Sequence, residues 1–316
     1  MTFLKVLRTL LASVVLAAAI LLVYIVSTGT PVPFLNLAES VDTPATSTQA
    51  AATRLADYDW AKVSEISAKI KAAKSDDEVV MIARQYGLVD ADGNLSSDEI
   101  SVSCKDGASF HVRLAGIRAD ECADGSGKAG LTFVTSDAVA MRAMNENGDN
   151  AGGWKDSQMR SWLNSDEKNN LPDELASSIV KVRKATNNTG SARDASAVTT
   201  TDDDLWLLSA REVCGDIDWF SHEYGADFAW LDSVANAEGS QYQLFSAAGV
   251  GPREPGNGAL VRNFDGKAVS WSYRTPFYFV YENLDARFFY NVMETGYPYS
   301  STAPDVKQGV VFGFCV

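Results

Sequence analysis

Residues able to carry out chemistry are few in this chain. It has two histidines, His111 and His222, and four cysteines. Neither histidine stands beside a nucleophile motif such as G-x-S-x-G, and the histidines and cysteines do not recur at zinc-ligand spacing. Carboxylates are numerous, but no two stand out as the acid and base of a glycosidase. The sequence therefore predicts no catalytic residue, no metal and no cofactor, and it favours binding over catalysis.

One segment, residues 88–99 (LVDADGNLSSDE), approaches the pattern of a calcium-binding loop. Asp90, Asp92 and Glu99 occupy ligand positions of that pattern. The first position, which requires a carboxylate, is Leu88. We therefore expect a turn here.

An aromatic tract near the C-terminus is the strongest candidate for a binding surface. Nine of the 23 residues from Phe277 to Tyr299 are aromatic. The segments PFYFVY and ARFFYNVM have the alternation of β-strands, so half of their side chains should point inward and half outward. Exposed Tyr, Phe, Asn and Arg are typical of recognition surfaces. The predicted ligand-binding residues are Tyr278, Tyr281, Asn283, Arg287, Phe289, Asn291, Tyr297 and Tyr299.

The N-terminal segment predicts export. Lys5 and Arg8 precede an uncharged apolar run at residues 10–26, which as a helix spans roughly 25 Å, near the short end for a bilayer crossing. We expect residues 1–27 to be an uncleaved signal anchor, a single transmembrane helix with its basic flank in the cytoplasm and the C-terminal domain outside the cell. A cleaved signal peptide, giving a secreted protein, is the alternative.

The charge of the chain excludes one class of partner. Residues 1–27 contain two basic and no acidic residues, so the predicted exported part carries a net charge of −16, against −14 for the whole chain. Such a surface repels phosphate backbones, and nucleic acid is therefore not expected as a partner.

The four cysteines would lie in an oxidising compartment, where disulfides persist. Spacing cannot choose among the three possible connectivities. We favour Cys104–Cys122 and Cys214–Cys315 and keep free buried thiols as the alternative.

The order of predicted elements indicates an α+β fold. Residues 28–54 are rich in Thr, Ala, Pro and Ser and predict a flexible linker. Residues 55–99 predict a helical hairpin that acts as a spacer, with Ser75 and Glu78 forming a capping box at the start of its second helix. From residue 100 to residue 316, strands are followed by two helices and then by further strands, which is typical of α+β domains.

Several segments carry a family resemblance. They are NGDNAGGWKDSQMRSWLN (147–164), DDDLWLLSAREV (202–213), EGSQYQLF (238–245), WSYRTP (271–276) and GVVFGFCV (309–316). Together they resemble a bacterial exported domain of unknown function with a C-type-lectin-like fold related to the formylglycine-generating-enzyme architecture. The resemblance covers roughly residues 100–316. It implies a mixed or antiparallel sheet with two flanking helices, paired first and last strands, and a variable binding face between WSYRTP and GVVFGFCV.

These features predict a membrane-anchored, outward-facing recognition protein. Residues 10–26 would hold it in the membrane, and the aromatic face would bind an extracellular protein or glycan. The resemblance also makes the tract compatible with a target of diversity-generating retroelements, which vary such a face. The alternative is a cell-envelope enzyme on a formylglycine-generating-enzyme-like scaffold, although Cys214 and Cys315 do not reproduce the spacing of that family's copper-binding cysteines.

Overall fold

The computed structural model describes residues 54–190, 194–281 and 284–316. These residues form a mixed α+β fold with several sheets. The predicted membrane helix and most of the predicted linker lie outside the described residues.

The described helices are short. Ser75 and Ser209 start two of them by accepting hydrogen bonds from the backbone N–H of Glu78 and Glu212. The helices are α1 (Trp60–Ala72), α2 (Asp76–Gln85), α3 (Gln158–Trp162), α4 (Lys168–Asn170), α5 (Asp173–Ser178), α6 (Ala210–Cys214), α7 (Trp219–Tyr224), α8 (Ala229–Asn236) and α9 (Gln243–Ala247). A π-helical turn, Leu163–Glu167, joins α3 to α4.

Most strands follow the alternation or the apolar runs of the sequence. They are β1 (Glu99–Ser103), β2 (Ser109–Ile117), β3 (Leu131–Thr135), β4 (Met141–Arg142), β5 (Val182–Asn187), β6 (Val198–Asp203), β7 (Trp206–Leu207), β8 (Arg262–Phe264), β9 (Lys267–Val269), β10 (Trp271–Tyr281), β11 (Leu284–Val292), β12 (Ser300–Thr302), β13 (Gln308–Gly309) and β14 (Phe312–Cys315).

Two five-stranded sheets organise the fold. The first has the order β1-β2-β3-β14-β7, and its neighbours are all antiparallel. The second has the order β12-β11-β10-β13-β4, with β10 and β13 parallel. Strands β5 and β6 form a separate hairpin, and so do β8 and β9.

Helix α1 packs directly on the first sheet. The Trp60 ring lies edge-on to Phe133 of β3 and Phe314 of β14, at 5.6 and 5.8 Å between centroids. The Ser67 hydroxyl donates to the backbone carbonyl of Val316. Gly130 allows this approach, because a Cβ at that position would overlap the Ser67 carbonyl oxygen. The helical hairpin therefore shares the hydrophobic core of the sheet.

The predicted fold class needs two corrections. Among the residues described, no helix combines the length and apolarity needed to cross a bilayer, so the structure gives no support to the membrane-spanning helix. Strand β1 pairs with β2 at the sheet edge, whereas β14 lies between β3 and β7. The pairing of first and last strands that the C-type-lectin-like resemblance implies is therefore not formed between these strands.

Neither favoured disulfide is formed. All four cysteines are free and buried. Their sulfurs contact other groups instead: Cys214 lies 3.4 Å from the Tyr273 hydroxyl, and Cys315 lies 3.3 Å from the Thr132 hydroxyl. Free buried thiols, the alternative to disulfides, describe the structure.

Candidate functional site: an aromatic cleft

The aromatic tract forms an antiparallel hairpin. Its register pairs Phe277 of β10 with Phe288 of β11, and Phe279 with Ala286. Residues paired in this way lie on the same face of a sheet. The Phe277 and Phe288 rings stack at 6.0 Å with an interplanar angle of 17°.

Helix α7 lies against this face and forms an aromatic cleft with it. The Phe220 ring is 5.6 Å from Phe277 and 5.7 Å from Phe279. The cleft has a volume of about 420 Å³, within the range of small-molecule sites. It is lined by Phe220, Glu223, Tyr224, Phe277, Phe279, Ala286, Phe288, Tyr299, Ser300 and Ser301.

The solvent exposure of the aromatic rings increases from the inner to the outer end of the cleft. At the inner end, Trp219 is buried and stacks on Tyr299 at 4.8 Å and 12°. Trp219 also contacts the buried Tyr290 at 5.0 Å. At the outer end, Tyr224 stacks on Phe279 at 6.4 Å and is 51% exposed. The inner rings therefore stabilise the fold, and the outer rings offer their faces to solvent.

Helix α7 is held in place by a buried carboxylate. Asp232 of α8 accepts hydrogen bonds from the backbone N–H of Phe220 at 2.9 Å and of Ser221 at 2.8 Å. These N–H groups belong to the first turn, where a helix has no internal partners for them and where a negative charge is favourable. The Trp219 indole donates to the Pro252 carbonyl. Polar contacts thus fix both the backbone of α7 and the ring of Trp219.

The hairpin is held from within by Asn150. This side chain is fully buried, and its amide nitrogen donates to the carbonyls of Phe277 at 3.0 Å and Phe288 at 3.1 Å. Asn150 therefore ties together the two strands at the stacked ring pair. The residue belongs to the NGDN segment of the family resemblance.

The polar groups of the cleft are suited to binding. Tyr299 donates a hydrogen bond to Glu223 at 3.2 Å, and burial together with the Glu223 charge raises the pKa of its phenol above the ordinary value. Among the described lining residues there is one carboxylate and no histidine, cysteine, lysine or arginine. The cleft can stack on a flat ligand face and exchange hydrogen bonds at its rim.

The predicted site residues fall in different places. Tyr299 lines the cleft. Tyr278 and Arg287 pair on the opposite face of the hairpin, where the guanidinium lies 5.7 Å from the ring centroid. Tyr297 is 36% exposed in the turn after β11. Tyr281 ends β10, and Asn283 lies outside the described residues.

Two predicted placements are wrong. Phe289 is 1% exposed and Asn291 is 5% exposed, so neither offers its side chain on the surface. Asn291 instead donates to Gln308 at 3.4 Å. The base of the hairpin lies inside the second sheet, where both faces are covered, so alternation there does not separate exposed from buried residues.

Sequence reasoning missed the residues that form most of the cleft: Phe220, Tyr224, Phe277, Phe279 and Phe288. A signal was present in DWFSHEYGADFAW, because Phe220 and Tyr224 are four residues apart and share one helix face. The first part of that segment forms α7, which packs on the aromatic tract.

A buried ionic network lies elsewhere in the core. Arg274 of β10 donates to both carboxylate oxygens of Glu212 of α6, with Nη2 2.9 Å from Oε1. Lys184 of β5 forms ion pairs with Glu212 and Asp120, and its ammonium lies 4.5 Å from the centroid of the Trp206 ring.

Glu238 completes the network. Its carboxylate accepts from the Asn187 N–H at 2.8 Å and from the Thr275 hydroxyl, while its backbone carbonyl accepts from Arg274 at 3.2 Å. Burial raises the pKa of Glu238 to about 7. Burial also raises the pKa of Glu212, but the positive charges of Arg274 and Lys184 outweigh burial and lower that pKa to about 2. The network residues are at most 6% exposed, so their role is structural.

The chain matches a known protein family. Residues 129–310 match the family described as Domain of unknown function (DUF6273). The chain belongs to the DUF6273 family. The match includes the aromatic cleft and, apart from Asp120, the ionic network of this DUF6273 domain. Neither the curated proteins nor the solved structures give a match.

Proposed function

We propose that this DUF6273 protein is a recognition protein and that the aromatic cleft binds a glycan. The observation that carries the proposal is the half-exposed Tyr224 ring, stacked on Phe279 at the mouth of a cleft with a carboxylate and hydroxyls at its rim. Such a site suits a sugar, which presents a flat face of C–H groups and a periphery of hydroxyls. Aromatic rings give contact area at low entropy cost, and the rim groups orient the ligand.

The geometry is prepared before a ligand arrives. Asp232 fixes α7, and Asn150 fixes the hairpin. A ligand would therefore meet walls that are already in place. Pre-organisation of this kind increases affinity because less conformational entropy is lost on binding.

The cysteines, which all lie within the described residues, do not favour the enzyme alternative. The cysteines that it would use are buried, and burial raises the pKa of Cys214 to about 12 and that of Cys315 well above its ordinary value. Thiols in such surroundings are protonated at neutral pH and are poor nucleophiles.

The proposal is tested by glycan-array screening followed by calorimetric titration of the best glycan. Tyr224→Ala should weaken binding about 10-fold, as expected when an aromatic side chain that supplies much of the contact area is removed. Tyr278→Ala is the matched control, because this tyrosine lies on the opposite face of the same hairpin.

Two results would contradict the proposal. In one, Tyr278→Ala weakens binding while Tyr224→Ala does not, which would place the ligand on the other face. In the other, no glycan binds and a protein ligand depends on Tyr224, which would keep the cleft but replace the ligand class.

A further inference from the structure

A second pocket, which shares no described lining residue with the aromatic cleft, lies beside the first sheet. It has a volume of about 770 Å³. Its walls come from β1, β2 and the turn between them, the β3–β4 connection, the helical segment around the π-helical turn, and the β8–β9 hairpin. Phe110 and Trp162 supply apolar surface. We call it the acidic pocket because carboxylate side chains line it.

Five carboxylates line the acidic pocket, with no lysine or arginine among its described lining residues: Glu99, Asp106, Asp137, Glu167 and Asp265. Several already have partners within the protein. Glu99 pairs with Arg113 at 2.8 Å. Asp137 accepts from the Asn263 N–H at 2.7 Å, and Asp106 accepts from the Ala108 N–H at 2.9 Å. These carboxylates are accounted for by local structure.

Glu167 differs from them. It is 8% exposed, and within the described residues its carboxylate accepts no hydrogen bond and forms no ion pair. It ends the π-helical turn, an element often found at functional sites. Burial and the nearby Asp106 raise the pKa of Glu167 to about 7, opposed by Arg142. An ionised carboxylate buried without a partner is unfavourable, and a cationic ligand would remove that cost.

The surroundings of Glu167 restrict the kind of cation. Among the described residues, no group of three or more His, Cys, Asp or Glu side chains is arranged to hold a metal ion. A single buried carboxylate without a partner, next to aromatic surface, is better suited to an organic cation. The Trp162 ring already accepts a cation, since the Arg142 guanidinium lies 4.5 Å from its centroid.

We propose that the acidic pocket binds an aliphatic ammonium ion, with the ammonium group donating to Glu167 and the methylene arm lying against Trp162 and Phe110. A free diamine and a lysine side chain both carry this chemistry. The proposal is independent of glycan binding in the aromatic cleft.

The test is calorimetric titration of the full protein at pH 8, where Glu167 is ionised. The probes are 1,5-diaminopentane, N-acetyl-lysine amide and, as an uncharged analogue, pentan-1-ol. Glu167→Gln should weaken amine binding at least about 10-fold, because the ammonium group would lose its hydrogen bond to a charged carboxylate. Asp166→Asn is the matched control: it removes the same charge from the neighbouring exposed position and should leave affinity unchanged.

The proposal is overturned if neither amine binds, if pentan-1-ol binds as tightly as the amines, or if Glu167→Gln binds them as well as the wild type does. If the amines bind, their relative affinities show whether the pocket prefers a free diamine or a lysine side chain. A second measurement needs no variant: amine addition should shift the Trp162 indole N–H resonance and leave that of the fully buried Trp154 in place. An unmoved Trp162 signal would contradict the proposal.

Discussion

Arg274 and Glu212 form a bidentate ion pair that is almost wholly removed from solvent, since Arg274 is fully buried and Glu212 is 2% exposed. They lie 62 residues apart, on β10 and α6. Lys184 shares the same carboxylate. The pair therefore joins the second sheet, a helix and the β5–β6 hairpin through one charged contact.

Replacing Arg274 with methionine should lower the free energy of unfolding by about 3–5 kcal/mol, because Glu212 would lose its main counter-charge in the interior. Urea unfolding followed by circular dichroism measures the change. Arg287→Met is the control, since its ion pair with Asp285 is largely exposed and should contribute less than about 1 kcal/mol. Equal effects of the two variants would show that the buried pair is not important for stability.

Asn150→Ala should destabilise the protein by about 1–3 kcal/mol, because the carbonyls of Phe277 and Phe288 would be left without their donor. Urea unfolding measures this loss, and glycan titration of the folded variant should show weaker binding. Glu146→Ala, four residues away and exposed, should change stability by less than about 0.5 kcal/mol. An Asn150→Ala protein with wild-type stability would rule out the role given to this side chain.

Glu167→Gln should alter how stability depends on pH. The pKa of Glu167 is raised from 4.5 to about 7 in the folded state, so the folded protein binds this proton more tightly than the unfolded chain does. The resulting stabilisation is fully present below pH 4.5 and is lost as the pH rises through about 7.

The variant should therefore have the same free energy of unfolding as the wild type at pH 4.5. At pH 8 its free energy of unfolding should be higher by on the order of 2 kcal/mol. Urea midpoints at the two pH values measure the difference. Glu238 titrates over the same range in both proteins, so only the difference between them reports on Glu167. A constant difference at both pH values would mean that Glu167 has an ordinary pKa.

Local patterns predicted much of the fold. The capping residue Ser75 marks the start of α2, and the alternation of the aromatic tract marks β10 and β11. The polar composition of residues 185–204 is typical of a loop, yet this stretch contains most of the β5–β6 hairpin. The hairpin's polar side chains Lys184 and Asp203 are buried because they form ion pairs with distant residues. Such partners are not visible in a local pattern.

The candidate site depended on similar distant contacts. Alternation along β11 puts Phe288 and Tyr290 on one face of the hairpin and Arg287 and Phe289 on the other. It could not show that α7 would cover part of the first face and create a cleft there. Nor could it show that the base of the hairpin would be enclosed on both sides, which buries Phe289.

The position of β14 has a consequence for how the protein folds. This strand lies between β3 and β7, and the Thr132–Cys315 contact joins residues 183 positions apart. During synthesis, β14 is completed only about 180 residues after β3, so one edge of β3 has no partner strand until then. Contacts so distant in sequence slow folding because a long loop must close first. Until residue 315 has emerged, the nascent chain exposes an unpaired strand edge, and it should depend on chaperones during that interval.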